Sequence, residues 1–258
     1  MDSPLELSYA APGKEQFPQS SSWRNALYDI LSSAEANSEG DGNAIILFRN
    51  SKCICTYDKF PKAKHHLLLM CRDYSTNPSC LMNVKSLNDL TKAHLCELRE
   101  FHNLAKSIAA AISGDEPTSF KVGYHSIPSL LPLHLHIISS DLDSPCITTR
   151  KHIVSFSSTF FVTADEVENH LESAFVDSLS VNVRGQRAQD VLDSTPLECQ
   201  YCDRAALNVP DWKRHNQTCK VKTPNKKERA FNSLLGWTDR DLIENKKAGD
   251  RKRTRGDN

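Results

Sequence analysis

Two histidines separated by one residue lie in the segment LHLHII, residues 133–138. Alternate side chains of a β-strand share a face, so the spacing predicts that His134 and His136 project together while the apolar residues between them enter the core. Their Cα atoms would lie about 6.5 to 7 Å apart, within reach of a single phosphate group. A neutral imidazole can attack phosphorus to form a covalent phosphoramidate, which divides one difficult displacement into two.

The same pair has other interpretations. Two surface histidines on a half-buried strand, or two ligands of a metal ion, also satisfy the pattern. The nucleophile interpretation requires a ring nitrogen of His134 that is free to form a bond. A ring enclosed in the core or bound to a metal ion would contradict it.

A second cluster has the spacing Cys-x2-Cys-x12-His-x3-Cys and consists of Cys199, Cys202, His215 and Cys219. Two thiolates from a tight turn, with a histidine and a cysteine from one helical turn, can close a tetrahedron around Zn²⁺. The pattern predicts a compact C2HC zinc finger. Because the protein fills all four positions, we expect a structural and not a catalytic site.

Apolar patterning indicates the elements that position these residues. Short Ile- and Leu-rich runs between turn residues predict strands, and apolar residues at three- and four-residue spacing predict helices. The strands are expected at 44–48, 53–57, 66–71, 119–126 and 133–139, and the helices at 23–31, at 89–112 and from about 164 to 179. This order predicts an α+β domain with a mostly antiparallel sheet.

Composition excludes some protein classes. The chain has 258 residues with 32 basic and 32 acidic side chains, and no apolar run approaches the roughly 18 residues of a membrane span. The amino terminus lacks a signal-peptide pattern, so we expect neither a secreted nor a membrane protein, and the nine cysteines favour a reducing compartment. Residues 221–258 carry eleven Lys/Arg and six Asp/Glu, a net charge of +5. This tail is either an import-signal-like or polyanion-binding arm, or simply a solvated one.

Three further motifs surround the histidine strand: GYHSIPS before it, SSDLDSPC after it and DKFPKAKHHLLLM upstream. Together with the finger, they resemble the histidine-triad superfamily over about residues 20–220, and most closely its DNA-repair branch, whose members end in a zinc finger. The resemblance implies a histidine-triad fold with a five-stranded antiparallel sheet and helices, plus a small C-terminal helical and zinc-finger module. In the family motif HφHφHφφ the middle histidine is the nucleophile, which implies this role for His134 and makes His136 the third histidine. Pro132 occupies the first position, a departure that leaves the role of that position open.

The resemblance also implies roles for other residues. A carboxylate would bind the ribose, basic residues would line the phosphates, a histidine would protonate the leaving group, and an aromatic residue would stack on a DNA end. The matching residues are Asp58 for the ribose, Lys62, His66 and Lys151 for the phosphates, His152 for the leaving group and Trp23 for the DNA end. His125 and Ser129 would lie near the pocket. Purely structural interpretations stay open. Lys62 and Lys151 could be surface charges, His125 and Trp23 could be core residues, and Asp58 could be a turn residue.

These inferences predict a division of the chain into four parts. Residues 1–20 would be disordered, 21–161 would form the catalytic domain, 162–222 would hold a helix and the finger, and 223–258 would be a mostly disordered basic tail.

The resemblance implies a nuclear, monomeric hydrolase with no membrane association. It would remove AMP from 5′-adenylated DNA ends, using structural Zn²⁺ and no catalytic metal. One alternative is a general hydrolase of nucleoside phosphoramidates or dinucleotides, although the finger and Trp23 would not help such an enzyme bind a small substrate. Another is a catalytically weak nucleic-acid-binding adaptor, which Pro132 makes conceivable.

Overall fold

The structure, a computed structural model, describes residues 7, 9–20, 22–36, 45–72, 80–113, 119–173, 188–202 and 204–219. The predictions for the basic tail and for the helical turn beyond residue 173 fall outside these residues. The chain divides into two compact units, the first ending at Leu197 and the second beginning at Glu198.

The first unit is built on one sheet of six strands. The strands are β1 (Ile46–Arg49), β2 (Cys53–Tyr57), β3 (His66–Cys71), β4 (Phe120–His125), β5 (His134–Ser139) and β6 (Phe161–Thr163). Their order is β1-β2-β3-β5-β4-β6, and every neighbouring pair is antiparallel. The α+β prediction is confirmed, and all five predicted strands are present within two residues of the expected bounds. The sheet differs from the predicted five strands by the addition of β6, a three-residue edge strand.

The histidine strand, β5, lies between β3 and β4 in the interior of the sheet. His134 faces Met70 of β3 across the ladder, and His136 lies between Leu68 of β3 and Gly123 of β4. All six residues of β5 are buried. Hydrogen bonds on both sides therefore fix the register of the two histidines, as the period of two along a strand requires.

Helices cover the sheet. They are α1 (Ala26–Ala36), α2 (Leu95–Ser113), α3 (Arg150–Ser157), α4 (Ala164–Ser173) and α5 (Ala188–Ser194), with α6 (Val209–Thr218) in the second unit. The long helix begins at Leu95 and not near residue 89, because two short 3-10 turns, Leu87–Asp89 and Lys92–His94, precede it. None of the described helices is both long enough and apolar enough to cross a bilayer.

A capping box starts α4. The Thr163 backbone N–H donates to Glu166 Oε2 at 2.8 Å, and the Glu166 N–H donates to Thr163 Oγ1 at 3.2 Å, the reciprocal pair that a Thr-x-x-Glu sequence favours. The helix packs on α2 and β4, and the buried imidazole of His102 joins Glu168 to Tyr124 of β4. The predicted division places α4 after the catalytic domain, whereas in the structure it belongs to the compact unit that contains the sheet.

Part of the segment predicted to be disordered packs on this unit. Phe17 is buried, and Tyr9 contacts Tyr57 at the end of β2. Two aromatic side chains give this proline-containing stretch enough apolar surface to be ordered.

Candidate functional site

Three adjacent strands bring four imidazoles together. His66 comes from β3, His125 from β4, and His134 and His136 from β5. The ring centroid of His136 lies 4.4 Å from that of His125, 4.9 Å from that of His134 and 5.2 Å from that of His66. Residues separated by up to 70 positions in sequence thus form one cluster because β3, β5 and β4 are neighbours in the sheet.

Phe156 of α3 covers this cluster. Its ring centroid lies 4.7 Å from that of His125 and 5.3 Å from those of His66 and His136. An aromatic lid of this kind excludes water and lowers the local dielectric constant. Phe156 is not among the site residues predicted from the sequence. Its position four residues after His152 was the available signal, since residues i and i+4 share a helix face.

His134 is held in a single tautomer. Its Nδ1–H donates to the carbonyl oxygen of Pro132 at 3.0 Å, which leaves the lone pair on Nε2. This Nε2 has no hydrogen-bond partner among the described residues, and it is not fully enclosed as the Nε2 atoms of His125 and His136 are. Burial lowers the pKa of His134, while the Pro132 carbonyl and Asp58 oppose that shift. The residue is only 4 % exposed, yet one neutral nitrogen of its ring is free to react.

His66 and His136 form a chain of donors. The backbone N–H of Lys62 donates to His66 Nδ1 at 3.1 Å, so the ring proton of His66 lies on Nε2. That Nε2–H donates to His136 Nδ1 at 3.0 Å, which places the proton of His136 on its own Nε2. His136 Nε2 is buried without a partner in the described part of the chain. Such a donor needs an acceptor, and a phosphate oxygen would satisfy it once the side chains that enclose Nε2 move aside.

Burial keeps these imidazoles neutral. Desolvation lowers the pKa of His66 to about 4, although Asp58 partly opposes the shift. It also lowers the pKa values of His125 and His136 well below their usual range, and the neighbouring histidines add to both shifts. The cluster therefore offers hydrogen-bond donors and a lone pair without positive charge.

The loop between β2 and β3 places Asp58 and Lys62 beside His66. Asp58 Oδ1 accepts the N–H of Phe60 at 2.6 Å, and its Oδ2 lies 3.6 Å from His66 Nδ1. The ammonium group of Lys62 donates to the Phe60 carbonyl oxygen. Burial lowers the pKa of Lys62, which Asp58 partly opposes. Asp58 acts as a turn residue, and both side chains also lie next to the histidine cluster.

The start of α3 supplies His152. Its Nδ1 accepts the N–H of Thr148 at 3.2 Å, so the ring proton lies on Nε2. Partial burial lowers the pKa of His152, and the positive charge of Lys62 lowers it further. Lys151 instead forms an ion pair with Asp193 of α5 at 2.8 Å, with both side chains about half exposed.

The remaining predicted residues lie at the surface. Ser129 is exposed in the connection between β4 and β5. Trp23 is 69 % exposed in the 3-10 turn Trp23–Asn25, which rules out its interpretation as a core residue. The carbonyl of Arg24, in the same turn, accepts the N–H of Leu131 at 2.8 Å. The turn is thus tied to the segment that leads into the histidine strand.

The second unit brings Cys199, Cys202, His215 and Cys219 together, with their ligand atoms within 4.8 Å of one another. The sulfur atoms of Cys199 and Cys219 are 3.9 Å apart, close to the separation of about 3.8 Å that two Zn–S bonds of about 2.3 Å give at a tetrahedral angle. The Nε1–H of Trp212 donates to the Glu198 carbonyl at 2.9 Å and fixes α6 against the cysteine turn. These residues fit Zn²⁺.

The structure does not support the interpretation of His134 and His136 as two ligands of one metal ion. Asp58, His66 and His136 bring ligand atoms within 4.8 Å of one another, but His134 does not belong to this group. The two histidines of the motif are therefore not joint ligands in the arrangement described.

Comparison with known proteins gives one family and several relatives. Residues 33–152 match the family described as "Scavenger mRNA decapping enzyme C-term binding". Aprataxin of Gallus gallus is 32% identical over 169 residues, which are 66% of this chain and 49% of that protein. An aprataxin-like protein of Drosophila melanogaster is 33% identical over 194 residues, 75% of this chain and 26% of that protein.

A solved structure, "Crystal structure of aprataxin ortholog Hnt3 in complex with DNA", superposes with a TM-score of 0.53 at 23% sequence identity. The match covers 76% of this chain and 94% of that one, and it shows that the fold is shared. The chain spans about half or less of the length of both sequence relatives described above.

Proposed function

This chain belongs to the aprataxin/histidine-triad family, and from that premise we propose that it is a DNA 5′-adenylate hydrolase. It would remove AMP from abortive ligation intermediates through a covalent adenylyl-histidine and restore a 5′-phosphate end in single-strand break repair. The observation that carries the proposal is the tautomer of His134, whose proton is held by the Pro132 carbonyl while Nε2 stays free.

In the first step, the lone pair of His134 Nε2 forms a bond to the phosphorus of the AMP group. The bond from that phosphorus to the oxygen of the DNA 5′-phosphate breaks, and the oxygen keeps the electron pair. The ring becomes cationic, and the Pro132 carbonyl stabilises the Nδ1–H of this cation. His152 has its proton on Nε2 and would donate this N–H as a hydrogen bond to the leaving phosphate, which departs as an anion, with Lys151 nearby on the same helix.

In the second step, water attacks the phosphorus and the N–P bond breaks, which returns the lone pair to His134 and releases AMP, while one proton of the water passes to the solvent. Negative charge develops on the phosphate oxygens in both steps. His136 Nε2–H, aligned through His66, would donate to one of them, and Lys62 would neutralise charge. Asp58 would accept hydrogen bonds from the ribose hydroxyls, with His125 and Ser129 lining the pocket.

Pro132 supports activity in this scheme. The atom that orients His134 is the backbone carbonyl of residue 132, so a histidine side chain is not needed there for that contact. The adaptor alternative, which rested on the loss of the first histidine, is weakened by this contact.

Trp23 and the zinc finger would hold the DNA. An aromatic ring that is 69 % exposed can stack on a terminal base pair, a contact worth about 1 to 3 kcal/mol that does not depend on sequence. On α6, Arg214 is exposed and Lys213 is partly exposed, so both can contact DNA phosphates. The Zn²⁺ would be structural, and the protein would act as a monomer in the nucleus.

The decisive experiment uses a nicked duplex carrying a 5′-adenylate. The protein should release AMP and leave an end that DNA ligase can seal, and quenching in alkaline denaturant, in which the N–P bond is stable, should trap an AMP adduct that is absent in His134→Ala. His170→Ala, which removes a histidine of α4 outside the cluster, is the matched control and should behave as the wild type. Release of AMP from adenosine 5′-phosphoramidate but not from the nick would favour the general hydrolase. Binding of the nick without any adduct would favour the adaptor.

A further inference from the structure

Residues 9–17, here called the N-terminal arm, lie against residues 58–66, here called the nucleotide loop. The loop carries Asp58, Lys62 and His66 of the proposed site. We propose that the N-terminal arm is a clamp that positions the nucleotide loop, with Tyr9 and Lys14 as its positioning residues. The effect of the clamp on substrate rests on the proposed function, whereas its effect on the loop does not.

Two hydrogen bonds attach the arm at the two ends of the loop. The hydroxyl oxygen of Tyr9 accepts the backbone N–H of His66 at 3.3 Å. The N–H of Ala10 donates to the hydroxyl oxygen of Tyr57, the residue directly before the loop, at 3.2 Å. The rings of Tyr9 and Tyr57 meet edge to face at 5.1 Å, which joins the two attachments. Burial raises the pKa of Tyr9, so its hydroxyl remains neutral.

Two cation–π contacts hold the middle of the loop. The ammonium group of Lys14 lies 4.9 Å from the ring centroid of Phe60, and that of Lys59 lies 5.8 Å from that of Phe17. One cation comes from the arm and the other from the loop, so the contacts run in both directions. Phe17 is buried and cannot move freely, whereas the ring of Phe60 is half exposed.

The contact between Lys14 and Phe60 affects the side chains that are proposed to bind the substrate. Asp58 and Lys62 each make a hydrogen bond to the backbone of Phe60, through its N–H and its carbonyl respectively. A shift of Phe60 would therefore move both groups. Tyr9 acts in the same way on His66, whose ring orients His136. Neither Tyr9 nor Lys14 has a hydrogen bond to the ring of His134 or His136 among the described residues.

The first test needs no substrate. Amide hydrogen exchange is measured by mass spectrometry on the full chain, in peptides that cover residues 58–66. Tyr9→Phe keeps the ring but removes the acceptor of the His66 N–H, so exchange in these peptides should become about two- to tenfold faster. Tyr28→Phe, which removes a tyrosine hydroxyl from α1, should leave them unchanged. Unchanged exchange in Tyr9→Phe, or equal acceleration throughout the sheet, would overturn the clamp.

The second test measures AMP binding by calorimetry in the wild type, Tyr9→Phe, Lys14→Met and Tyr28→Phe. A loosened loop should weaken AMP binding about three- to tenfold in Tyr9→Phe and Lys14→Met. With adenosine 5′-phosphoramidate as substrate, both variants should change KM more than kcat. Wild-type affinity in Tyr9→Phe despite faster exchange would refute the positioning role. Absence of AMP binding in the wild type would refute the proposed function and leave the clamp to the exchange experiment.

Discussion

At the scale of single residues, the backbone selects the chemistry of the histidine cluster. Pro132 accepts from His134, and Lys62 donates to His66, so main-chain atoms decide which ring nitrogens carry protons. Burial then keeps the rings neutral, which is the state in which one imidazole can attack and another can donate. The proposed nucleophile and a hydrogen-bond donor are thus the same side-chain type at positions 134 and 136 of one strand.

The pH dependence of AMP transfer follows from the lowered pKa of His134. Only the neutral ring attacks, and burial keeps it neutral below its ordinary pKa of 6.5. The single-turnover rate of adduct formation should therefore remain level from about pH 8 through 6.5 and fall only at lower pH. A decline with a midpoint at or above 6.5 would contradict this assignment. Rapid-quench kinetics on an adenylated nick supplies the measurement.

Trp23 should affect DNA binding without affecting the chemistry. Trp23→Ala removes an exposed ring, so affinity for a blunt or nicked adenylated duplex should fall by about 1 to 3 kcal/mol. Trp23→Phe should restore part of the loss because it keeps a π-face. Turnover of adenosine 5′-phosphoramidate should be unaffected in both variants, and an equal loss on that small substrate would argue against an end-stacking role. Fluorescence anisotropy with labelled DNA gives the affinities.

At the scale of elements, the sheet joins parts of the site that are distant in sequence. β5 is central, β3 brings His66 and β4 brings His125, and α3 covers them with Phe156. β4 in turn is held by β6, which approaches it closely at Gly123. The position of His125 therefore depends on a short edge strand as well as on its own neighbours in sequence.

Gly123→Ala tests that dependence. A Cβ atom at Gly123 would lie 2.4 Å from the Val162 carbonyl oxygen and 2.7 Å from Cε1 of Phe161, so β4 and β6 would have to separate. Urea denaturation should show a loss of about 1 to 3 kcal/mol. The matched control is Gly13→Ala, where the added atom meets only the flexible end of Glu15 and little stability should be lost. Equal stability of the two variants would contradict the close packing of β6.

The sequence predicted those elements whose signal is local. Short runs of apolar residues between turn residues marked the five longer strands, and the alternation in β5 placed both histidines on one face. β6 was missed because three residues before a helix carry too little periodicity. The packing of the N-terminal arm was not predicted because the prolines, the glycine and the serine run of this segment indicated disorder despite Tyr9 and Phe17. The tautomers of His66 and His134 depend on contacts with the backbone at Lys62 and Pro132, which no pattern of side chains encodes.

At the scale of the whole molecule, acid should destabilise the fold. In the folded protein His66 stays neutral down to about pH 4, whereas in the unfolded chain it takes up a proton near pH 6.5. Between those values the unfolded state binds more protons, so stability is complete above 6.5 and is lost as pH falls. Each buried histidine that stays neutral contributes about 1.4 kcal/mol per pH unit in that interval. The other histidines with lowered pKa values in the sheet unit include His102, His125, His134 and His136.

Denaturant titrations at several pH values measure this effect. The denaturant concentration at the unfolding midpoint should decrease steadily as the pH falls from 6.5 towards 4, and it should be nearly constant above pH 6.5. A midpoint that stays constant down to pH 5 would show that the histidines are protonated in the folded protein.

Metal removal should affect only the second unit. A strong chelator should extract one Zn²⁺ per chain and unfold α6, since a finger of this size has little other core to hold it. Hydrogen exchange should then accelerate in residues 199–219 while β3 and β5 stay protected. Cys202→Ser should lose the metal, whereas Cys96→Ser, which changes an exposed cysteine outside the cluster, should retain it. Retention of Zn²⁺ by Cys202→Ser would contradict the ligand assignment.

The central place of β5 and the peripheral place of Trp23 lead to different responses to heating. The proposed nucleophile, His134, belongs to a strand that is hydrogen-bonded to a neighbour on each side, which opens only when the sheet itself unfolds. The ring of Trp23, which we propose to stack on DNA, lies in the 3-10 turn at the start of α1, and the end of a helix opens more easily than a central strand. On warming, the protein would first lose affinity for DNA ends while it still cleaves small adenylates. Heat would therefore remove the preference for DNA substrates before it abolishes catalysis.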